Sequence, residues 1–233
     1  GLVKYMDHAS LDQIEKNVQK ELDAKSAELG VTFNYADYTY NGQGDGTTLN
    51  QIAAQLVADG VDVVVPIATP AAQVMQSVVT DEDIPIIFAA VSDPVTANLV
   101  QDMDAPGGTI TGVSDALNTE MIMKMMLAVD PDIQTVGLLY TSSEDNSALQ
   151  IQEVKAVLEE MNVGYVEQTV TGSNDVQQAV QSILGKCDAL YIPTDNTLAA
   201  SAALVGSAAQ TAKIPVFWGE GNCVAEGGLA SLG

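Results

Sequence analysis

The stretch VDVVVPIATPAAQ (Val61–Gln73) has an echo about half a chain later, in CDALYIPTDNTL (Cys187–Leu198). In each, an Asp leads into an apolar run that contains a Pro, and a Thr then opens a helix of small residues. The echo extends to the neighbouring units, in the same order. GLVKY at the start matches TVGLLY (Thr135–Tyr140), Val31–Tyr38 matches Val163–Thr169, and IPIIF (Ile84–Phe88) matches IPVFW (Ile214–Trp218). Strands alternating with helices specify parallel, doubly wound sheets. A period above about a hundred residues is too long for a solenoid. The chain therefore reads as two α/β lobes, residues 1–114 and 115–228, with the boundary in the Val113–Thr119 region.

Local signals place the elements. Ser10 is expected to cap a helix from Leu11 to about Leu29, stopped by Gly30. Val31–Tyr38 alternates as a strand does. Leu49, Ile52, Ala53 and Leu56 share one face of a helix over Thr47–Ala58. Val61–Ala68 and Ile84–Val91 are continuous apolar runs, the mark of strands buried on both faces. Thr69-Pro70 is a cap followed by Pro at the first helical position, and Ser92-Asp93-Pro94 is expected to open a short helix in the same way. Thr109–Val113 completes the first set of strands. The second set has a Met-rich helix over Thr119–Val129, a helix to about Met161, another from Asn174 or Asp175 to Leu184, and strands at Ala189–Pro193 and Ile214–Trp218.

Charge and composition narrow the function. Eight basic against 31 acidic residues give a formal net charge of −23, and all the basic residues are Lys. Nucleic-acid binding needs cations to neutralise phosphates, so that class is excluded; an anionic membrane surface would repel such a chain. Without Arg, no bidentate guanidinium can hold a carboxylate or phosphate. Such a ligand has to sit on backbone N–H groups, hydroxyls or Lys. No apolar run is long enough to span a bilayer. Cys187 and Cys223 fall at opposite ends of neighbouring strands and are expected as free thiols. The first and last residues both lie in strand-like sequence, so the natural chain is expected to continue past each end.

In open parallel sheets, ligands bind beyond the carboxyl ends of the strands. Those corners are polar here. In lobe one they hold Tyr5, His8, Thr69, Pro70, Ala71, Ser92 and Asp93; in lobe two, Tyr140, Ser142, Asn146, Ser147, Thr194, Asp195, Asn196 and Glu220. The N–H groups of Ala71 and Ala72 with the Thr69 hydroxyl form a carboxylate seat at a helix start. Asp195 and Glu220 either meet a ligand ammonium or serve only as a cap and a solvated acid. Removing Asp195 is expected to weaken amino-acid binding, more than removing Thr69. Tyr5 and Tyr140 can stack on a ligand, whereas Trp218 defaults to core. His8 reads as a solvated loop residue or a ligand contact. As the single His it makes a metal site improbable, and the four Met of the Thr119–Val129 helix read as packing. No GxGxxG after the first strand, no GxxxxGK[ST] and no GxSxG is present. No catalytic residues and no cofactor are assigned.

The blocks VDVVVPIATPAAQ, IPIIFAAVSDP, TGVSDALNTE, TVGLLYTSSEDNS, SNDVQQAVQSILGKCDALYIPTDNT and IPVFWGEGN resemble, in order, the ABC-transporter substrate-binding proteins. The subgroup resembled is associated with tryptophan and other aromatic amino acids. The resemblance implies a type I periplasmic-binding-protein fold: two lobes joined by a hinge, with ligand trapped in the inter-lobe cleft by closure. It implies that Thr69 and Ser92 face ligand from lobe one, and Ser142, Asn146, Asp195 and Glu220 from lobe two. It further implies that residues near 229–233, with a missing C-terminal part, complete lobe one. The implied protein is a monomeric solute receptor outside the cytoplasm, periplasmic or a cell-surface lipoprotein, with an ABC permease as partner. The alternatives are the same fold binding a branched amino acid or a sugar, a ligand sensor on this fold, and a doubly wound α/β enzyme.

Overall fold

The computed structural model describes residues 1–79 and 83–232. They divide into two units, Gly1–Ala116 and Leu117–Gly233.

The first unit is built on five strands: β1 (Leu2–Lys4), β2 (Thr39–Asn41), β3 (Val65–Ile67), β4 (Ile86–Val91) and β5 (Ile110–Ser114). All pairings are parallel, in the order β2-β1-β3-β4-β5. Helices α1 (Ala9–Leu29), α2 (Gly46–Asp59) and α3 (Thr69–Val79) make the crossovers. On α2 the buried positions are Leu49, Ile52, Ala53 and Leu56, the face the spacing predicts. The carboxylate of Asp45 caps that helix by accepting from Thr48 N, and Gly60 ends it at φ 66°, a conformation that only Gly adopts without strain. Lys4 is buried in β1, yet its ammonium meets Asp7 at 2.9 Å and Glu15 at 3.0 Å, and also Asp12. That cluster pins the first turns of α1 to the strand that precedes them.

The second unit repeats this plan. Strands β6 (Thr135–Thr141), β7 (Gly164–Val170), β8 (Ala189–Ile192), β9 (Val216–Trp218) and β10 (Ala230–Ser231) pair in parallel in the order β10-β9-β8-β6-β7. Matched strand for strand, this is the order of the first sheet. The helices are α4 (Thr119–Val129), α5 (Asp145–Glu160), α6 (Val176–Leu184), α7 (Asn196–Ala199) and α8 (Ala202–Ala212). Along β8, Leu190 and Ile192 pack into one core with α6 and α8, while Ala189 and Tyr191 pack into another with α4 and α5. Successive side chains of a strand point to opposite faces, so both faces are buried and β8 reads as one apolar run. Val176, Ala179, Val180, Ile183 and Leu184 line the core face of α6. Each large aliphatic side chain there contributes about 1.5–3 kcal/mol of burial.

The doubly wound parallel architecture expected from the sequence is therefore present in both units. Several local expectations differ. Val31–Tyr38 is not a strand. A single turn at Ala36–Tyr38 precedes β2, and β1 is only long enough to pair Thr39–Asn41. Residues 31–35 have no strand opposite them, and Val31 and Phe33 are exposed. Helix α1 starts at Ala9, with His8 rather than Ser10 in the capping position. Residues 94–98 form turns rather than a helix. Asp93 holds them: its Oδ1 accepts from Val95 N and Thr96 N at 3.0 Å, and its Oδ2 accepts from Thr96 Oγ1 at 2.6 Å. Ala230–Ser231, expected to help complete lobe one, instead pairs with Phe217–Trp218 in the second sheet. Gly233 lies outside the described residues. Both Cys are buried free thiols. Met123 and Met126 are fully buried in α4 and Met125 packs partly against the same core, while Met121 is half exposed. Among the described residues, no helix is long and apolar enough to cross a membrane.

Candidate functional site

In a 2-1-3-4-5 sheet the chain reverses direction between the first and third strands, and the crevice beyond that point is where such folds take ligands. In the first unit that point lies between β1 and β3. Tyr5 follows β1 and donates its N–H to Ile67 O at 3.2 Å. Its ring is buried and its hydroxyl reaches Gly44 O at 3.3 Å, so it packs within this unit. His8 is buried too, 8% exposed, which corrects the solvated reading.

Ala68 ends β3 at φ 85°, and Ala90 in β4 sits at φ 55° beside a register shift between Ala89 and Val91. Positive φ is costly for a residue with a Cβ. Both departures lie at carboxyl ends. Ala68 turns the chain directly into α3, which begins at Thr69; Thr69 and Ala71 are buried. Ala72 N donates to Ala68 O at 3.1 Å, closing the first helical bond. Ala72 therefore leaves the expected seat. The N–H groups of Thr69 and Ala71 remain in the turn that a helix does not pair internally, while Pro70 has none. Ser92 is buried at the end of β4.

The corresponding corner of the second unit, between β6 and β8, holds two buried carboxylates. Asp195 is 0% exposed and Glu144 1%. Asp195 caps α7: its Oδ1 accepts from Leu198 N at 2.9 Å and from Thr141 Oγ1 at 2.8 Å, and its Oδ2 accepts from Thr141 N at 2.6 Å. Glu144 lies 51 residues before Asp195 in sequence. Its Oε2 accepts from Asn196 N and Nδ2 at 3.0 and 2.6 Å, and its Oε1 accepts from Thr197 N and Oγ1 at 3.1 and 2.9 Å. Two of these bonds tie Asp195 to the end of β6, four tie the start of α7 to Glu144 in the segment after β6, and one caps α7 itself. Of the two sequence readings of Asp195, the helix cap is the one this geometry describes. Asn196 likewise spends its side chain on Glu144.

Burial pushes the Asp195 carboxyl up to about 7, and the Glu144 charge adds to the effect. A raised native value means that the folded state holds a proton which the unfolded state has released. This contribution to stability is complete below the ordinary carboxylate range and is lost as pH rises through about 7. The Glu144 charge acts on Asp195, and the Asp195 charge in turn adds to the rise of the buried Cys223 thiol. The thermal midpoint is expected to rise by about 5 °C or more on going from pH 8 to pH 5.5, in the same direction as relief of the overall negative charge. Scanning calorimetry of the protein and of Asp195→Asn checks this, with the slope reduced in the variant.

Beside the clamp, three side chains converge on Thr194. Asn146 Nδ2 and Ser147 Oγ donate to its carbonyl at 2.7 and 3.1 Å, and Gln150 Oε1 accepts its N–H at 2.8 Å. Asn146 Oδ1, Gln150 Nε2 and Thr194 Oγ1 are buried with no hydrogen-bond partner among the described residues. Buried polar atoms in that state mark a place that water or a ligand completes. Ser142 is exposed and its hydroxyl reaches Val170 O at 3.3 Å. Tyr140 is half-buried and donates to Glu167 at 3.2 Å. Glu220 follows β9 and is 9% exposed. Trp218 is core.

Sequence reasoning missed Glu144, Thr141 and Gln150. Gln150 carried a usable signal, since it lies four and three residues after Asn146 and Ser147 on one face of α5. Among the described residues, no group of three or more His, Cys, Asp or Glu could hold a metal ion.

These twin sheets, with polar corners at their carboxyl edges, match a defined class. The chain belongs to the family of ABC transporter substrate binding proteins, whose model it matches over residues 1–233. Members of that family are transport receptors rather than enzymes. The chain is 35% identical, over all of its length, to the tyrosine-binding protein of Clostridioides difficile, and it spans 66% of that relative. A crystal structure of an ABC domain in complex with L-Trp, from Streptococcus pneumoniae, superposes with a TM-score of 0.89 at 38% identity, over 99% of this chain and 77% of that one. A conserved domain protein from Vibrio cholerae superposes with a TM-score of 0.91 at 34% identity, over 100% of this chain and 77% of that one.

Proposed function

We propose that this chain is the extracytoplasmic solute receptor of an ABC importer and that its ligand is an aromatic amino acid, tryptophan or tyrosine. One observation carries the choice of ligand. Two relatives above 30% identity, each matched over essentially the whole of this chain, are described by their binding of Tyr and of L-Trp. The chemistry of the corners agrees. With no Arg in the chain, the ligand carboxylate sits on the Thr69 hydroxyl and the N–H groups of Thr69 and Ala71, where the α3 dipole also favours negative charge. The unpartnered atoms of Asn146, Gln150 and Thr194 supply further polar contacts, and Ser92, Ser142, Ser147 and Glu220 belong to the same proposed set. Tyr5, His8, Pro70, Asp93, Tyr140, Asp195 and Asn196 shape the corners that present it. A permease partner, a monomeric state and either a periplasmic location or a lipid tether complete the proposal.

Isothermal calorimetry against the twenty amino acids tests it. L-Trp or L-Tyr is expected to bind with a micromolar or tighter dissociation constant, and aliphatic amino acids at least about 100-fold more weakly, a difference of roughly 2.7 kcal/mol. Preference for an aliphatic amino acid would overturn the aromatic assignment.

A further inference from the structure

The carboxyl end of β5 carries an acid that no role described so far uses. Asp115 follows β5 directly, and its N–H donates to Val91 O at 3.2 Å, which seats it beside the end of β4. Ser114 Oγ donates to Ser92 O at 3.0 Å and accepts from Ala116 N at 3.1 Å, fixing the corner from both sides. The Ser92 side chain hydrogen-bonds to the Asp115 carboxyl group. Yet Asp115 Oδ1 is buried and meets no donor among the described residues. Leaving a buried carboxylate oxygen unmet is costly, the more so when it is charged. A buried polar atom in that state marks a place that water or a ligand completes, and no metal-binding cluster is present among the described residues.

The position along the edge indicates what that group is. β3 pairs with β4 at Ile67 and Ala89, and β4 pairs with β5 at Val91 and Ser114. Neighbouring strands lie about 4.8 Å apart, so the backbones of Thr69 and Asp115 are separated by about 10 Å, with Ser92 between them. That span suits one amino-acid head group, whose carboxylate and ammonium are attached to the same carbon. The carboxylate seat is at one end and an acid with an open oxygen is at the other.

We propose that Asp115 is the partner of the ligand's α-ammonium, so that the first unit by itself reads both charges of the amino-acid head group. This rests on the receptor reading above; the amine is met by the first unit and not by Asp195, whose oxygens the α7 clamp already engages. Ser92 then positions the acid by holding its other oxygen.

Calorimetry on the whole chain tests this, with L-Trp and L-Tyr set against indole-3-propionate and 3-(4-hydroxyphenyl)propionate, which keep the carboxylate and ring but lack the amine. Asp115→Asn is expected to bind the amino acids about 10- to 100-fold more weakly than the unaltered protein, the worth of one charge-assisted hydrogen bond. It should bind the desamino acids no more weakly. Asp115→Ser gives the same readout if the Asn variant does not fold. Unchanged amino-acid affinity in a folded variant would show that water completes Oδ1, and would overturn the assignment of Asp115 while leaving the receptor reading intact. Failure of the unaltered protein to bind either amino acid would overturn both.

Discussion

Asp195→Ala is expected to lower the thermal midpoint of the second unit by about 10 °C or more. The substitution strips the acceptor from three donors at once: Thr141 N, Thr141 Oγ1 and Leu198 N. All lie where water has little access, since Asp195 is fully buried. Loss of a helix cap costs about 0.5–2 kcal/mol, and each orphaned buried donor about 1–3 kcal/mol. Relief of repulsion with Glu144 returns part of this, leaving a net loss of about 3–5 kcal/mol. For a domain of this size, each kcal/mol moves the midpoint by about 3–6 °C. A ligand-contacting acid would behave in the opposite way, losing affinity at an unchanged midpoint. Differential scanning calorimetry and ligand titration on one sample separate the two. Lost binding with an unaltered melt would return Asp195 to the ligand.

Glu144→Ala should be as damaging, although nothing in its local sequence marks it. Four donors from Asn196 and Thr197 converge on it. Without that carboxylate, α7 keeps only the Asp195 cap and loses its tie to the segment after β6. The expected loss is again about 3–5 kcal/mol. Both acids hold the same short helix, so the double variant should lose clearly less than the sum of the single losses. Denaturant midpoints of the four proteins measure this. Strict additivity would mean that the two carboxylates act on separate structures.

Much of the fold was open to inspection in the sequence. Buried parallel strands announce themselves as unbroken apolar runs, and the echo of IPIIF in IPVFW and of ATPAAQ in PTDNT marked equivalent strands in two sheets. Those sheets share one strand order. Features set by distant partners were not open. Val31–Tyr38 alternates like a strand, but pairing depends on β1, whose three residues reach only Thr39–Asn41. His8 looks like a loop residue because its burial comes from the rest of its unit. Glu144 sits in SSEDNS, as polar as any surface turn, and its role appears only once β8 brings Asn196 alongside. The two corners differ as the sequence suggested, one a helix start without an acid and the other rich in acids. The structure commits Asp195 and Glu144 to holding the second corner together, and leaves an open carboxylate oxygen on the first unit, at Asp115.

Titration of L-Trp and L-Tyr into the unaltered chain by isothermal calorimetry decides whether it is an aromatic amino-acid receptor. One site per chain is expected, with a dissociation constant in the micromolar range or tighter for at least one of the two. Absence of binding by both, in protein shown to be folded, would contradict it.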